Sequence, residues 1–211
     1  MWSPRFTRPV AAVVALLAIA GCASGPGGGD GRGVPPPDKG ATQADAPAAA
    51  LTLYEQATAA MAAGDNIEAE LRFKEFLLQY PGYPGAYVNL AILHADNGND
   101  SAAREAIDAA LALNPDHAPA LNQLGMLHRR NGNFPEAESA YLKAVTVSPD
   151  YALAHYNLGV LNELYLQRLD VALQHFERYQ ELVGEDEQVE KWIADLRRRV
   201  QASQRTANVA D

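Results

Sequence analysis

The chain has 211 residues, 48% of them apolar, with 17 Lys and Arg against 26 Asp and Glu and a formal charge of −9. That length and apolar content suffice for one folded core plus tails, whereas the acidic balance excludes a nucleic-acid binder, which needs clustered cations to neutralise phosphates. The single cysteine, Cys22, excludes an internal disulfide framework, and the sequence has no mononucleotide loop, dinucleotide fingerprint or zinc-ligand spacing.

The first predicted element begins with Arg5 and Arg8 and continues as an unbroken apolar run from Val10 to Ala20. A bilayer span needs about 20 residues, so this run is too short to cross; it matches the core of a signal peptide. Ile19, Ala20 and Gly21 stand immediately before Cys22. This junction resembles the lipobox of bacterial lipoproteins. The resemblance implies that residues 1–21 are removed and that the thiol of Cys22 receives a diacylglycerol before the new amine is acylated. More than one acyl chain is what makes such an anchor stable. Ala23 rather than Asp follows the cysteine, which in the sorting rule of that family implies the outer membrane, with the protein anchored on the periplasmic side. From Cys22 to residue 49 the chain is rich in Gly, Pro, Ala and Asp and has almost no large apolar residue. Such a segment cannot offset the entropy of ordering and reads as a disordered tether, with a mean reach on the order of 30 Å.

The next elements repeat. Gly64, Gly98 and Gly132 are equally spaced, and Ala69, Ala103 and Ala137 keep the same interval, as do Pro81, Pro115 and Pro149. Ala57, Ala91, Gly125 and Gly159 follow it too, with Leu90, Leu124 and Leu158, and Phe73, Ile107 and Tyr141. The pattern predicts pairs of helices. In each pair a glycine ends the first helix in a left-handed conformation, and Asp65, Asn99 or Asn133 opens the second. Small residues let the pair approach closely, and a proline closes the unit. In this pattern the chain resembles the tetratricopeptide repeat family, whose period is about 34 residues. The resemblance implies an all-α, right-handed α-solenoid of four helix-turn-helix units across residues 50–186.

The fourth unit departs from the pattern. Leu166 stands where glycine is expected, Ala172, Phe176 and Tyr179 fall one residue late, and Gly184 replaces the proline. An insertion in the turn "LYLQRLD" accounts for the shift. Val189, Trp192, Ile193, Leu196 and Val200 share one helical face and predict a capping helix over residues 187–203, with Tyr165 and Leu166 beneath it and a disordered tail at 204–211.

No catalytic constellation is present, and the many glutamates sit on helix faces as solvated charge, so the chain reads as a non-enzyme without metal, cofactor or small-molecule substrate. His94 and His128 share a packing position of the repeat and read as structural. The family resemblance points instead to a concave face lined by the first helix of each unit. Carried over by position, that lining is Tyr54, Thr58 and Met61; Val88, Ile92 and Ala95; Asn122, Met126 and Arg129; and Tyr156, Val160 and Glu163. Asn89, Gln123 and Asn157 recur beside it, and amides there can hold a peptide backbone. Lys191 and Arg197 to Arg199 place basic charge on the last helix, where it complements the helix dipole. The partner expected is a protein or peptide of the cell envelope. Similar lipoproteins serve as pilotins in secretin and pilus assembly, and related repeat proteins accompany TonB-type systems; an adaptor that recruits peptidoglycan hydrolases is the alternative.

Overall fold

A computed structural model describes residues 47–210, with side chains described as far as residue 205. The expected signal, lipidated Cys22 and nearly all of the tether lie outside the described residues. Among those described there are nine helices and no strand: α1 (Ala48–Ala62), α2 (Asn66–Gln79), α3 (Pro84–Asp96), α4 (Asp100–Leu113), α5 (Ala118–Arg130), α6 (Phe134–Val147), α7 (Ala152–Leu164), α8 (Leu169–Val183) and α9 (Glu187–Ala210).

Each of the first three pairs closes through the same hydrogen-bonded turn. Gly64, Gly98 and Gly132 have φ of +77°, +73° and +76°, and the following amide reaches back into the last turn of the first helix. These bonds run from Asp65 N to Ala60 O at 3.0 Å, from Asn99 N to His94 O at 2.8 Å and from Asn133 N to His128 O at 2.9 Å. The left-handed glycine thereby satisfies carbonyls that the helix end would leave open. Asp65 and Asn99 then cap the second helix, accepting from Glu68 N and Ala102 N; the side chain of Asn133 makes no such bond. In the fourth pair the turn is one residue longer, and Gln167 takes the left-handed conformation at φ +54°.

The helices form two layers. Within a unit the first helix packs along the second, and α5 also touches α3 and α7, so the first helices make one layer and the second helices the other. Their spacing is set by small residues. Ala57, Ala69, Ala91, Ala103 and Ala137 are buried. A Cβ on Gly125 would stand 2.5 Å from the Tyr141 ring, and one on Gly159 would stand 2.7 Å from the Phe176 ring. Phe73, Ile107, Tyr141 and Phe176 occupy these contacts with at most 1% of their surface exposed.

α9 packs against α8, where the first helix of a further unit would stand. Val189, Ile193 and Leu196 are buried against Ala172 and Phe176, with Trp192, Tyr156 and Val160 at the edge of the cluster. The helix continues to Ala210 rather than stopping at 203, because residues 201–210 contain neither Gly nor Pro to end it. Tyr165 and Leu166 do not lie beneath α9. Tyr165 packs on Phe134 with ring centroids 4.7 Å apart, and Leu166 joins Ala137, Tyr141 and Leu158. The longer turn carries both side chains back onto the third unit. Among the described residues no helix is long and apolar enough to cross a membrane.

Candidate functional site

The residues expected to line the inner layer divide into two sets. Val88, Asn89, Asn122 and Asn157 are buried, none more than 6% exposed. Tyr54, Thr58, Met61, Ile92, Ala95, Gln123, Met126, Arg129, Tyr156, Val160 and Glu163 are half-buried. The buried set joins successive units. Asn89 donates to the Tyr54 hydroxyl at 2.9 Å, and Asn157 donates to Asn122 Oδ1 at 2.9 Å. Asn122 turns its own amide toward the Met126 sulfur at 3.7 Å, and Val88 packs with Ala110 and Ala120. These asparagines fix the register of neighbouring first helices through the Nδ2 groups of Asn89 and Asn157 and the Oδ1 of Asn122, buried between the helices. Each buried bond of this kind contributes about 1 kcal/mol, and its loss would strand a buried polar atom at a higher cost.

The fourth unit is covered as well. Tyr156 lies 6.0 Å from Trp192 between ring centroids and 5.3 Å from Tyr179. Val160 joins the same cluster, and Glu163 is held by Arg199 of α9 at 2.7 Å. The cap therefore occupies the last quarter of the expected groove. The basic residues expected on α9 are likewise engaged: Lys191 pairs with Glu187, Arg197 bonds Glu177, and Arg198 and Arg199 bond Asp195. What stays half-open on the inner layer is the strip of Thr58, Met61, Ile92, Ala95, Gln123, Met126 and Arg129.

Two polar groups lie close behind this strip. The Tyr141 hydroxyl is fully buried and has no hydrogen-bond partner of good geometry. Burial pushes it up to about 12, although the neighbouring Arg129 guanidinium acts in the opposite direction. It is therefore a neutral phenol at any ordinary pH. Arg129 Nε is itself buried without a partner of good geometry.

Three histidines make contacts that no sequence motif announced. His117 caps α5, its Nδ1 accepting from Ala120 N at 3.2 Å. His155 and His175 bring their Nδ1 atoms to 3.1 Å, and His155 Nε2 meets Pro149 O at 3.1 Å. A carbonyl only accepts, so His155 Nε2 carries the proton, and His175 donates to His155 Nδ1. Burial lowers His155 and brings His175 down to about 4, with His155 adding to the latter shift. Among the described residues no group of three or more His, Cys, Asp or Glu is placed to hold a metal ion.

The turn geometry, the small-residue contacts and the two-layer stack recur from unit to unit, and two models of the tetratricopeptide repeat match at residues 60–127 and 122–187. The chain belongs to the tetratricopeptide repeat family. No sequence among curated proteins matches it. The structure of Pseudomonas aeruginosa pilF is similar, with a TM-score of 0.65 and 22% identity over 73% of this chain and 70% of that one. A thermophilic tetratricopeptide protein of Thermus thermophilus aligns with a TM-score of 0.61 and 23% identity over 70% and 80% of the two chains. The first tetratricopeptide domain of Spaghetti, bound to the HSP90 peptide SRMEEVD, aligns with a TM-score of 0.52 and 18% identity over 56% and 95%. These likenesses establish the fold, an all-α solenoid of the kind that scaffolds protein–protein interaction.

Proposed function

We propose that this tetratricopeptide protein is a non-enzymatic scaffold, anchored to the outer membrane through lipidated Cys22, that holds a protein or peptide partner on its inner helical layer while an envelope machine is assembled or worked. The observation that carries the reading is the half-open strip of Ile92, Met126 and Arg129. Its neighbours Asn89, Asn122 and Asn157 are committed to holding the units together, yet these three side chains are not sealed by the layer itself. An apolar strip rimmed by polar groups suits an extended segment or a helix with spaced apolar anchors. The peptide-bound Spaghetti domain and the likeness to pilF add support at the level of fold. The lipobox-like junction before Cys22 supports the anchor, and the Gly- and Pro-rich segment after it supplies reach. A pilotin-like role in secretin or pilus assembly, or an accessory role in a TonB-type system, fits such a tethered scaffold.

The test is copurification from gently solubilised envelopes, comparing the wild type with an Ile92→Glu, Met126→Glu variant that retains its helical spectrum and monomer elution. Envelope partners lost only from the variant support groove binding. Partners retained in full place function elsewhere on the molecule and remove this reading.

A further inference from the structure

The outer helix of the first unit carries large apolar side chains in open solvent. Ile67, Leu71 and Leu78 of α2 are 85%, 61% and 85% exposed. With Lys74 between them they follow the alternating four- and three-residue spacing of a heptad seam, which places all four on one face of the helix. The stack does not need them there. Phe73 and Phe76, on the opposite face, pack α2 against the inner layer. At the equivalent exposed positions α4 has Ser101, Glu105, Asp108 and Ala112, and α6 has a single large apolar residue, Leu142. The stripe is therefore no requirement of the repeat, and contiguous exposed apolar residues of this kind mark a contact surface.

Charge selects among the surfaces that could cover this stripe. Glu68 and Glu75 flank it on one side and Glu70 on the other. Glu68 and Glu70 are shared with Arg72 and Lys74 along the helix, as exposed pairs that exchange partners at little cost. Among the described residues Glu75 forms no ion pair. Residues 48–83 together hold five carboxylates against two cations. A second copy laid on the stripe would set these glutamates against their own kind, at the flanking positions where like charges keep paired helices apart. An anionic lipid surface is repelled in the same way. The segment between Cys22 and α1 has one large apolar residue, Val34, and cannot fill three apolar positions.

We propose that the outer face of α2 docks an amphipathic helix of a partner protein, one whose apolar residues recur at heptad spacing and lie on Ile67, Leu71 and Leu78, with lysine or arginine on its flanks facing Glu68, Glu70 and Glu75. Apolar burial supplies the contact, and the complementary charge selects the partner and its register. At 1.5 Å per residue the stripe runs about 17 Å, so about three turns of the partner cover it. The stripe lies on the outer layer, away from the inner strip. This docking is independent of the groove reading, and one solenoid can hold a partner on each layer.

The probes are two fluorescent three-heptad peptides with leucine at the seam positions, one flanked by lysine and the other by glutamate, titrated by anisotropy against the full chain in dodecyl maltoside at low salt. The lysine-flanked peptide is expected to bind about ten-fold more tightly than the other, with the difference shrinking as salt rises. Leu71→Ser with Leu78→Ser should weaken it about ten-fold, and Glu75→Lys should narrow the preference between the peptides. These side chains are exposed, so the unfolding midpoints should stay unchanged, and the comparison of the two peptides needs no variant at all. The groove variant Ile92→Glu, Met126→Glu should bind as the wild type does. Equal binding of the two peptides, no binding of either, or binding undiminished by the serine pair overturns the inference. Loss confined to the groove variant also overturns it and supports the groove reading instead. Self-association abolished by the serine pair would give this face to a second copy, and sedimentation with phosphatidylglycerol vesicles abolished by it would give the face to lipid; either result overturns the partner helix.

Discussion

Gly159→Ala tests whether close helix approach, and not merely helix propensity, sets the packing of the fourth unit. An added Cβ would stand 2.7, 2.8 and 2.9 Å from three carbons of the Phe176 ring, against an ordinary carbon–carbon separation of about 3.5–4.0 Å. The ring would have to retreat by about 1 Å to restore that separation. It has little room, being 1% exposed and lying 5.6 Å from Trp192 and 5.9 Å from Tyr156 between centroids. Overpacking of this kind costs about 1–3 kcal/mol, and replacing a mid-helix glycine by alanine returns about 1 kcal/mol. With the ring enclosed, the upper part of that range applies, about 2–3 kcal/mol, so the net expectation is a loss of about 1–2 kcal/mol, or several degrees in Tm for a domain of this size. Urea and thermal unfolding followed by circular dichroism measure it. Phe176→Leu in the same chain should relieve the clash, so the double variant should be more stable than the sum of the single effects. Gly132→Ala is the contrasting case. Its Cβ would meet nothing within 4 Å, and the cost would come only from φ +76°. A Gly159→Ala protein as stable as the wild type, or strictly additive effects with Phe176→Leu, would refute the packing argument.

The His155–His175 pair makes stability depend on pH. His175 is held down to about 4 in the folded protein, mainly by burial, against about 6.5 in the unfolded chain. The unfolded chain then binds more protons below about pH 6.5, so stability is fully present above that value and is lost as pH falls toward 4. Allowing for screening at a half-buried ring, the loss is about 1–2 kcal/mol, and His175→Phe should flatten the profile in urea titrations between neutral pH and the folded value. Asn157→Ala removes the bond to Asn122 Oδ1 and should cost about 1–3 kcal/mol by the same assay; an unchanged midpoint would deny the asparagine its role between units. Cys22→Ser should leave uncleaved precursor or protein that no longer sediments with membranes, and continued incorporation of labelled palmitate would contradict the anchor.

The repeat was legible in the sequence because each element of it answers a strict geometric demand. A left-handed turn needs glycine, a close helix contact needs alanine or glycine, and both demands return once in every unit. The inserted residue in the fourth turn was legible for the same reason, as a one-residue lag in Ala172, Phe176 and Tyr179. The groove was less so. Position in the repeat indicates which side chains point inward, but not whether the next helix then covers them. Asn89 and Asn157 point inward and are consumed by Tyr54 and Asn122; Tyr156 and Val160 point inward and disappear under α9. The ion pairs between units were invisible for a related reason. Whether a cation is paired depends on carboxylates that come from other units, and Arg130 finds Asp100 and the Ala95 carbonyl across one such boundary.

The bonds between successive units also bear on how the chain reaches this structure. Asn89 to Tyr54, Arg130 to Ala95 and Asn157 to Asn122 each join residues 35 apart, and Arg199 to Glu163 joins residues 36 apart. Every such link is complete once a single additional unit has been delivered. Loops of constant, modest length must close, so the entropic cost of each step does not grow along the chain. A chain threaded through a narrow channel N-terminus first can therefore consolidate pair by pair as it emerges, with α9 arriving last to shut the apolar end of the stack.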